Sequence, residues 1–261
     1  MAMRAIWSGS LSFGLVNIPI KLYSGSEERE LKFHMLHKDD LSPIRYAKIC
    51  AKEGKEIPYE DIVKGYEYSE GDYVILADED FQSANLKKNK AVDIFDFADQ
   101  TEIDSKFFDS PYFLEPTKGA EKPYALLREA LKRSGKVGIG KFVLRQKEIL
   151  CAIKPEGNTL LLNRLRFQDQ LRESSGLKIP SDVELKEKEI ELALRLIEEL
   201  SGPFKPEDYK DTYTAELEEV IKQKIEGKEV TVHGEEPVPT RVTDLMEILR
   251  KSLKTKVKSR Q

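Results

Sequence analysis

Cysteine is almost absent from this 261-residue chain. Cys50 and Cys151 stand far apart, which excludes a disulfide framework and points to a reducing compartment. No stretch reaches the ~18 consecutive apolar residues of a membrane span. The N-terminus has a single early charge, Arg4, and its apolar stretch is broken by Ser12, Gly14, Asn17 and Pro19, so it makes a poor signal peptide. The expectation is a soluble cytoplasmic protein with no membrane association. Catalytic signatures are missing as well: there is no serine in a nucleophile elbow, no cysteine with a nearby candidate histidine and no dinucleotide fingerprint. His34 and His37 are three apart and Cys50 offers a third ligand, but Glu53 stands where a C-x-x-C pair would have its second thiol, so no metal is expected. Asp93, Asp96, Asp99, Glu102 and Asp104 form an acidic run, yet Asp93 alternates with Val92 and Ile94 as a solvent-facing strand residue does. The chain reads as non-catalytic, with no cofactor. No internal repeat is visible.

Net positive charge is also lacking, the total being −4, which by itself speaks against a nucleic-acid partner. The distribution reverses that reading. Residues 131–172 carry +7, residues 173–249 carry −10, the last twelve carry six bases and no acid, and the first 130 hold the remaining −7. A like-charged segment inside an acidic protein repels itself unless something polyanionic sits against it.

What is present is a run of short strands followed by helices. "AIWSGSLSFGLVNIPIKLYS" alternates Trp7, Leu11 and Phe13 with Ser8, Ser10 and Ser12, turns or bulges near Gly14, Asn17 and Pro19, and resumes with Ile18, Ile20 and Leu22. Further strands are expected at 72–77, 91–97 and 111–116, a pattern that suggests a barrel or sandwich. From 181 the period becomes helical. Ser181 and Glu184 resemble a capping box, and Val183, Ile190, Ala193, Leu194, Ile197 and Leu200 form a stripe that Gly202 and Pro203 end. A second helix is expected from near Pro206 to Gly227, with Tyr213, Leu217, Val220, Ile221 and Lys224 on or near one face; residues 228–241 read as a linker, and Val242, Leu245, Met246, Leu249 and Leu253 mark a last short helix that docks on something. Helices placed after the strands give an α+β class and suit an arm better than an alternating fold.

"GKVGIGKF", residues 135–142, satisfies seven of the eight positions of the phosphate loop G-x-x-x-x-G-K-[ST], but Phe142 stands where a hydroxyl should hold magnesium. Its context is also reversed. Residues 122–134 place Tyr124, Leu127, Ala130 and Leu131 at helical spacing with Pro123 in the first turn, so a helix runs into the glycines and a strand follows. A divergent nucleotide hydrolase using Lys141 is therefore the weaker rival. The expected strand, residues 141–153, pairs after a turn at 154–157 with a second at 159–167. Lys141, Val143, Arg145 and Lys147 would share one side at about 6.6 Å per two residues, close to the spacing of two nucleotide steps, about 6.8 Å. Gln146, Arg164, Arg166 and Arg172 would extend that surface. Such a comb meets phosphates without reading bases.

Several stretches, "IWSGSLSFGLVNIPIKLY" (6–23), "IVKGYEY" (62–68), "GIGKFVLR" (138–145), "LRF" (165–167) and "DLMEILRKSL" (244–253), resemble the bacterial Ku proteins of DNA double-strand break repair in order and spacing, over nearly the whole chain. The resemblance implies a β-barrel core with a bridging insertion (1–180), a helical arm for dimerisation (181–228), and a linker with a short partner-binding helix and basic tail (229–261). It implies a homodimeric ring threaded by double-stranded DNA ends, and recruitment of an ATP-dependent ligase, ligase D, through Leu245, Met246, Leu249 and Leu253. Carried over by position, the expected phosphate contacts are Lys21, Arg45, Lys48, Lys106, Arg145, Lys147 and Arg172, with Lys32, Lys136 and Lys141 beside them. Some relatives carry a C-x-x-C at Cys50 and Glu53, and others a long lysine-rich tail where this chain has a short basic run. An open-faced, non-ring nucleic-acid-binding module is the alternative of a different kind.

Overall fold

Seven strands, in most of which apolar residues recur at every second position, close into a barrel in the computed structural model, which describes residues 3–27, 30–85, 90–180, 183–228 and 248–249. They are β1 (Trp7–Phe13), β2 (Val16–Ser24), β5 (Ala91–Asp99), β6 (Phe108–Pro116), β7 (Lys136–Leu144), β8 (Lys147–Glu156) and β9 (Thr159–Leu165); β3 (Lys64–Ser69) and β4 (Asp72–Leu76) pair separately. Around the barrel the order is β1-β2-β6-β9-β8-β7-β5, all antiparallel except where β1 closes on β5. Closure leaves no free edge among these strands. The expected first strand pair and the strands at 72–77, 91–97 and 111–116 are all found. Leu11, Ile20, Leu22, Ile153, Leu160 and Leu162 have no exposed surface, and Trp7 meets Phe142 edge-on at 5.5 Å within the same interior cluster.

Helix α1 (Asp78–Asn85) precedes β5, and α2 (Glu121–Ser134) seats Tyr124, Leu127 and Leu131 in the barrel's interior cluster. Ala130, expected on that side, is exposed. The Tyr124 hydroxyl donates to the Leu114 carbonyl at 2.6 Å and accepts from the Leu160 N–H at 2.7 Å, tying α2 to β6 and β9. Gly135 ends α2 with φ 67°, a left-handed cap that glycine adopts without strain. Gly140 lies inside β7, where a Cβ would come within 2.8 Å of the Asp93 carbonyl. The glycines of the phosphate-loop lookalike thus serve a helix stop and a close approach of β5 to β7.

The strand expected over residues 141–153 is two strands. β7 ends at Leu144, Arg145 and Gln146 turn with φ 48° and 64°, and β8 starts at Lys147. Nothing in the local sequence announces this turn, because neither residue is Gly, Asn or Pro. Tertiary burial forces it: Phe142 before the turn and Ile149, Cys151 and Ile153 after it all belong to the interior.

The chain divides between Ser174 and Ser175 into two compact units. The second contains α3 (Glu187–Leu200) and α4 (Thr212–Ile225). α3 starts later than the capping-box reading placed it: Val183 and Glu184 are not helical, and the Glu189 carboxylate accepts the Lys186 N–H at 2.9 Å to close the first turn. α4 also starts late, at Thr212, where Asp211 accepts the Thr214 N–H at 3.0 Å; Pro206 opens a separate 3-10 turn. Ser181, the 229–241 part of the expected linker, and Val242, Leu245, Met246 and Leu253 lie outside the described residues; the backbone is helical at Ile248 and Leu249.

Candidate nucleic-acid interface

Register decides which cations share a surface. Gly140, Cys151 and Arg164 stand opposite one another across β7, β8 and β9, and Cys151 is fully buried, so that row faces inward. Lys141, Leu150 and Leu165 form the neighbouring row, which faces outward. Lys147 pairs with Leu144, which packs on the interior cluster, so Lys147 lies on the face opposite Lys141. Arg145 sits in the turn. The single-sided comb of Lys141, Val143, Arg145 and Lys147 is therefore not formed, because the turn at Arg145 and Gln146 reverses the chain in the middle of it.

Arg164 and Arg166 do not extend the Lys141 surface either. Both converge on Asp109 at the start of β6, at 3.3 Å and 2.8 Å, and the Arg166 guanidinium also donates to the carbonyls of Lys106 (3.1 Å) and Phe108. These arginines brace β9 against β6. Lys106 enters the same neighbourhood with its ammonium 3.6 Å from Asp104, whose carboxyl is held below the usual range chiefly by the Lys106 backbone N–H. Lys136 is opposite Asp99 and 2.7 Å from it, and that hydrogen bond holds its ammonium above the ordinary lysine range. Both lysines are partly committed to carboxylates.

The remaining expected contacts are distributed. Lys21 is exposed on β2, opposite Glu115, whose carboxylate accepts the Tyr23 hydroxyl. Arg172 is exposed beyond the turn that follows β9. Lys32, Arg45 and Lys48 project from residues 30–63, an extended insertion held by isolated pairings of Leu36 with Pro43 and Ile49 with Glu56, and Lys48 lies 4.4 Å from the centre of the Tyr59 ring. Lys141 lies over the rings of Phe95 and Phe167. Sequence reasoning missed those two aromatics: Phe95 keeps the outward side that alternation with Ile94 gives it, but nothing local shows that it and Phe167 meet Lys141, which comes from another strand.

Cys50 closes a tight loop through its N–H to Lys55 at 2.9 Å, and His37 is 3.0 Å from Asp40 in another. Among the described residues no three His, Cys, Asp or Glu side chains group to hold a metal, and no helix is long and apolar enough to cross a membrane. The buried Cys151 thiol is pushed well above its ordinary pKa by desolvation, which makes it inert. Exposed lysines and arginines on a barrel can meet phosphates, contacts that carry no sequence information.

Residues 12–192 match the family model described as the Ku70/Ku80 beta-barrel domain. The chain is 42% identical over 255 residues to the Non-homologous end joining protein Ku of Archaeoglobus fulgidus, covering 96% of this chain and 98% of that one. It is 41% identical over 251 residues to the protein of the same name from Anaeromyxobacter sp. (strain K), covering 96% and 85%, and 40% identical over 254 residues to that of Bacillus subtilis (strain 168), covering 96% and 82%.

Proposed function

The chain belongs to the Ku family, and from that premise we propose that it is a non-enzymatic, sequence-independent protein of non-homologous end joining that binds double-stranded DNA ends as a homodimeric ring. The observation that carries the ring is the insertion. From Glu30 to Leu76 no residue is buried, although the segment includes Phe33, Leu41, Tyr46, Tyr59 and Ile75 at 63–84% exposure. A patch of this kind marks a surface that another molecule covers. β4 sharpens the point. Among the described residues it is hydrogen-bonded to β3 alone, and after Asp72 at its start it bears no charge through Leu76, whereas β3 carries Lys64 and Glu67 and is interrupted by a bulge. Charges and bulges protect an edge from pairing; a flat, uncharged edge invites it. In this reading the free edge of β4 continues against the same strand of a second copy, an isologous contact that closes on itself.

The arm would add to that dimer. Ile190, Leu194, Ile197 and Leu200 remain 37–60% exposed along α3. Residues 1–180 then act as barrel and bridge, 181–228 as arm, and 229–261 as the segment that recruits an ATP-dependent ligase, ligase D, through Leu245, Met246, Leu249 and Leu253. The reading places the protein in the cytoplasm, at the nucleoid. Lys21, Lys32, Arg45, Lys48, Lys106, Lys136, Lys141, Arg145, Lys147 and Arg172 are the proposed phosphate contacts. Encirclement turns individually weak, salt-sensitive contacts into a trapped complex that any sequence can enter.

Competition tests this. Short linear duplex should bind tightly and lose affinity steeply with salt, covalently closed circles should compete poorly, and a mass measurement should give a dimer. Equal competition by closed circles would remove the threading, and a monomer would favour an open-faced module.

A further inference from the structure

Lys141 stands directly across from Asp93 on the outer face of the barrel, an arrangement that ordinarily favours a cross-strand ion pair. Among the described residues that pair is not made. Asp93 accepts the Ser12 hydroxyl instead, and the Lys141 ammonium lies over two phenyl rings, 6.0 Å from the centre of Phe95 and 5.5 Å from that of Phe167.

The rings arrive there by separate devices. Phe95 is the extra residue of the β5 bulge, between Ile94 opposite Gly140 and Asp96 opposite Ile139, and it is 60% exposed. Phe167 lies two residues beyond Leu165, which shares the outward row of Lys141, and its N–H is anchored to the Gln170 side chain at 3.0 Å. An ammonium over aromatic faces is steadied by the ring quadrupole yet keeps its charge, while its long stem loses rotamer freedom before any ligand arrives. Lys106 and Lys136 are different, because their ammonium groups are shared with Asp104 and Asp99.

We propose that Phe95 and Phe167 form an aromatic clamp that positions Lys141 for a phosphate of the bound DNA. This rests on the DNA-end reading above. The rings are positioning residues: they act through Lys141, and the phosphate contact is made by its ammonium.

The experiment is binding of a short linear duplex by the full chain across a salt series, with thermal unfolding of each variant alongside. Lys141→Ala should reduce the slope of log affinity against log salt by about 0.9, the loss of one phosphate contact. Phe95→Leu and Phe167→Leu, which keep apolar bulk but remove the quadrupole, should each weaken binding by about two- to fivefold with unfolding unchanged. Phe95→Tyr and Phe167→Tyr should restore it. Adding Phe167→Leu to Lys141→Ala should cost nothing further. The clamp is overturned if the leucine variants bind like the wild type, if tyrosine fails to rescue, or if the double variant shows the two losses in full. Failure of the wild type itself to bind linear duplex would instead overturn the DNA-end reading, and the clamp with it.

Discussion

The barrel and the insertion that leaves it between β2 and β5 are both rich in apolar residues, and they use them in opposite ways. In the barrel, alternation along each strand sends Leu11, Ile20, Ile153 and Leu162 into one cluster with no exposed surface. Across residues 30–76 a similar supply of Phe, Leu, Ile and Tyr stays outside, held by two isolated pairings and one hairpin. A two-stranded hairpin is marginally stable alone. The barrel is thus stabilised from within its own chain, whereas the insertion leaves its apolar side chains exposed.

The comparison breaks most visibly at Phe142, buried against Trp7. Phe142→Ser would complete the phosphate-loop pattern of residues 135–142, and it should lower barrel stability by about 3–5 kcal/mol in denaturant unfolding, as large-to-small aromatic truncations do. No ATP turnover should appear. Retained stability, or turnover, would contradict the assignment of this segment to the core. Gly140→Ala comes next: its methyl must displace β5 from the Asp93 carbonyl, for about 1–3 kcal/mol of destabilisation by the same measurement. Both changes belong to the barrel.

Val74→Pro belongs to the other region. It removes a strand N–H from β4, so it should raise the dimer dissociation constant by about tenfold while leaving barrel unfolding where it was. Sedimentation together with a denaturant melt separates the two effects. A parallel loss of barrel stability would show that the two regions are not energetically independent. The smallest effect is expected in the second unit, where Thr214, through its hydroxyl and its N–H, holds the Asp211 carboxyl below the ordinary aspartate range. A depressed carboxyl contributes its stabilisation above the unfolded pKa, about 3.9, and loses it as pH falls through the folded value. Helicity of α4 should therefore decline below about pH 4, and Asp211→Ala should lower helicity at neutral pH and remove that acid step from the far-ultraviolet circular dichroism.

Much of the barrel was legible in the sequence because a half-buried strand writes its period of two into the chain. The alternation of Trp7 to Leu22, the helix into Gly135 and the strand beyond it needed only local rules. The turn at Arg145 and Gln146 was not legible, since its left-handed residues lack the usual turn chemistry and the flanking apolar runs read as continuous. That omission carried into the site: a comb drawn on one strand became two rows on opposite faces. The outward side of Phe95 follows from its alternation with Ile94, but its place beside Lys141 does not, because that cation arrives from a strand more than forty residues later.

Sequence alone settled the family, the strand-then-helix plan and the uneven spread of charge, because each of these is a property of residue order and of periodicity along a continuous chain. Tertiary structure decided which cations are neighbours, which are held by Asp99, Asp104 or Asp109, and which lysines rest on aromatic rings. Those outcomes depend on register between strands distant in sequence, where a shift of one residue exchanges the two faces of the sheet.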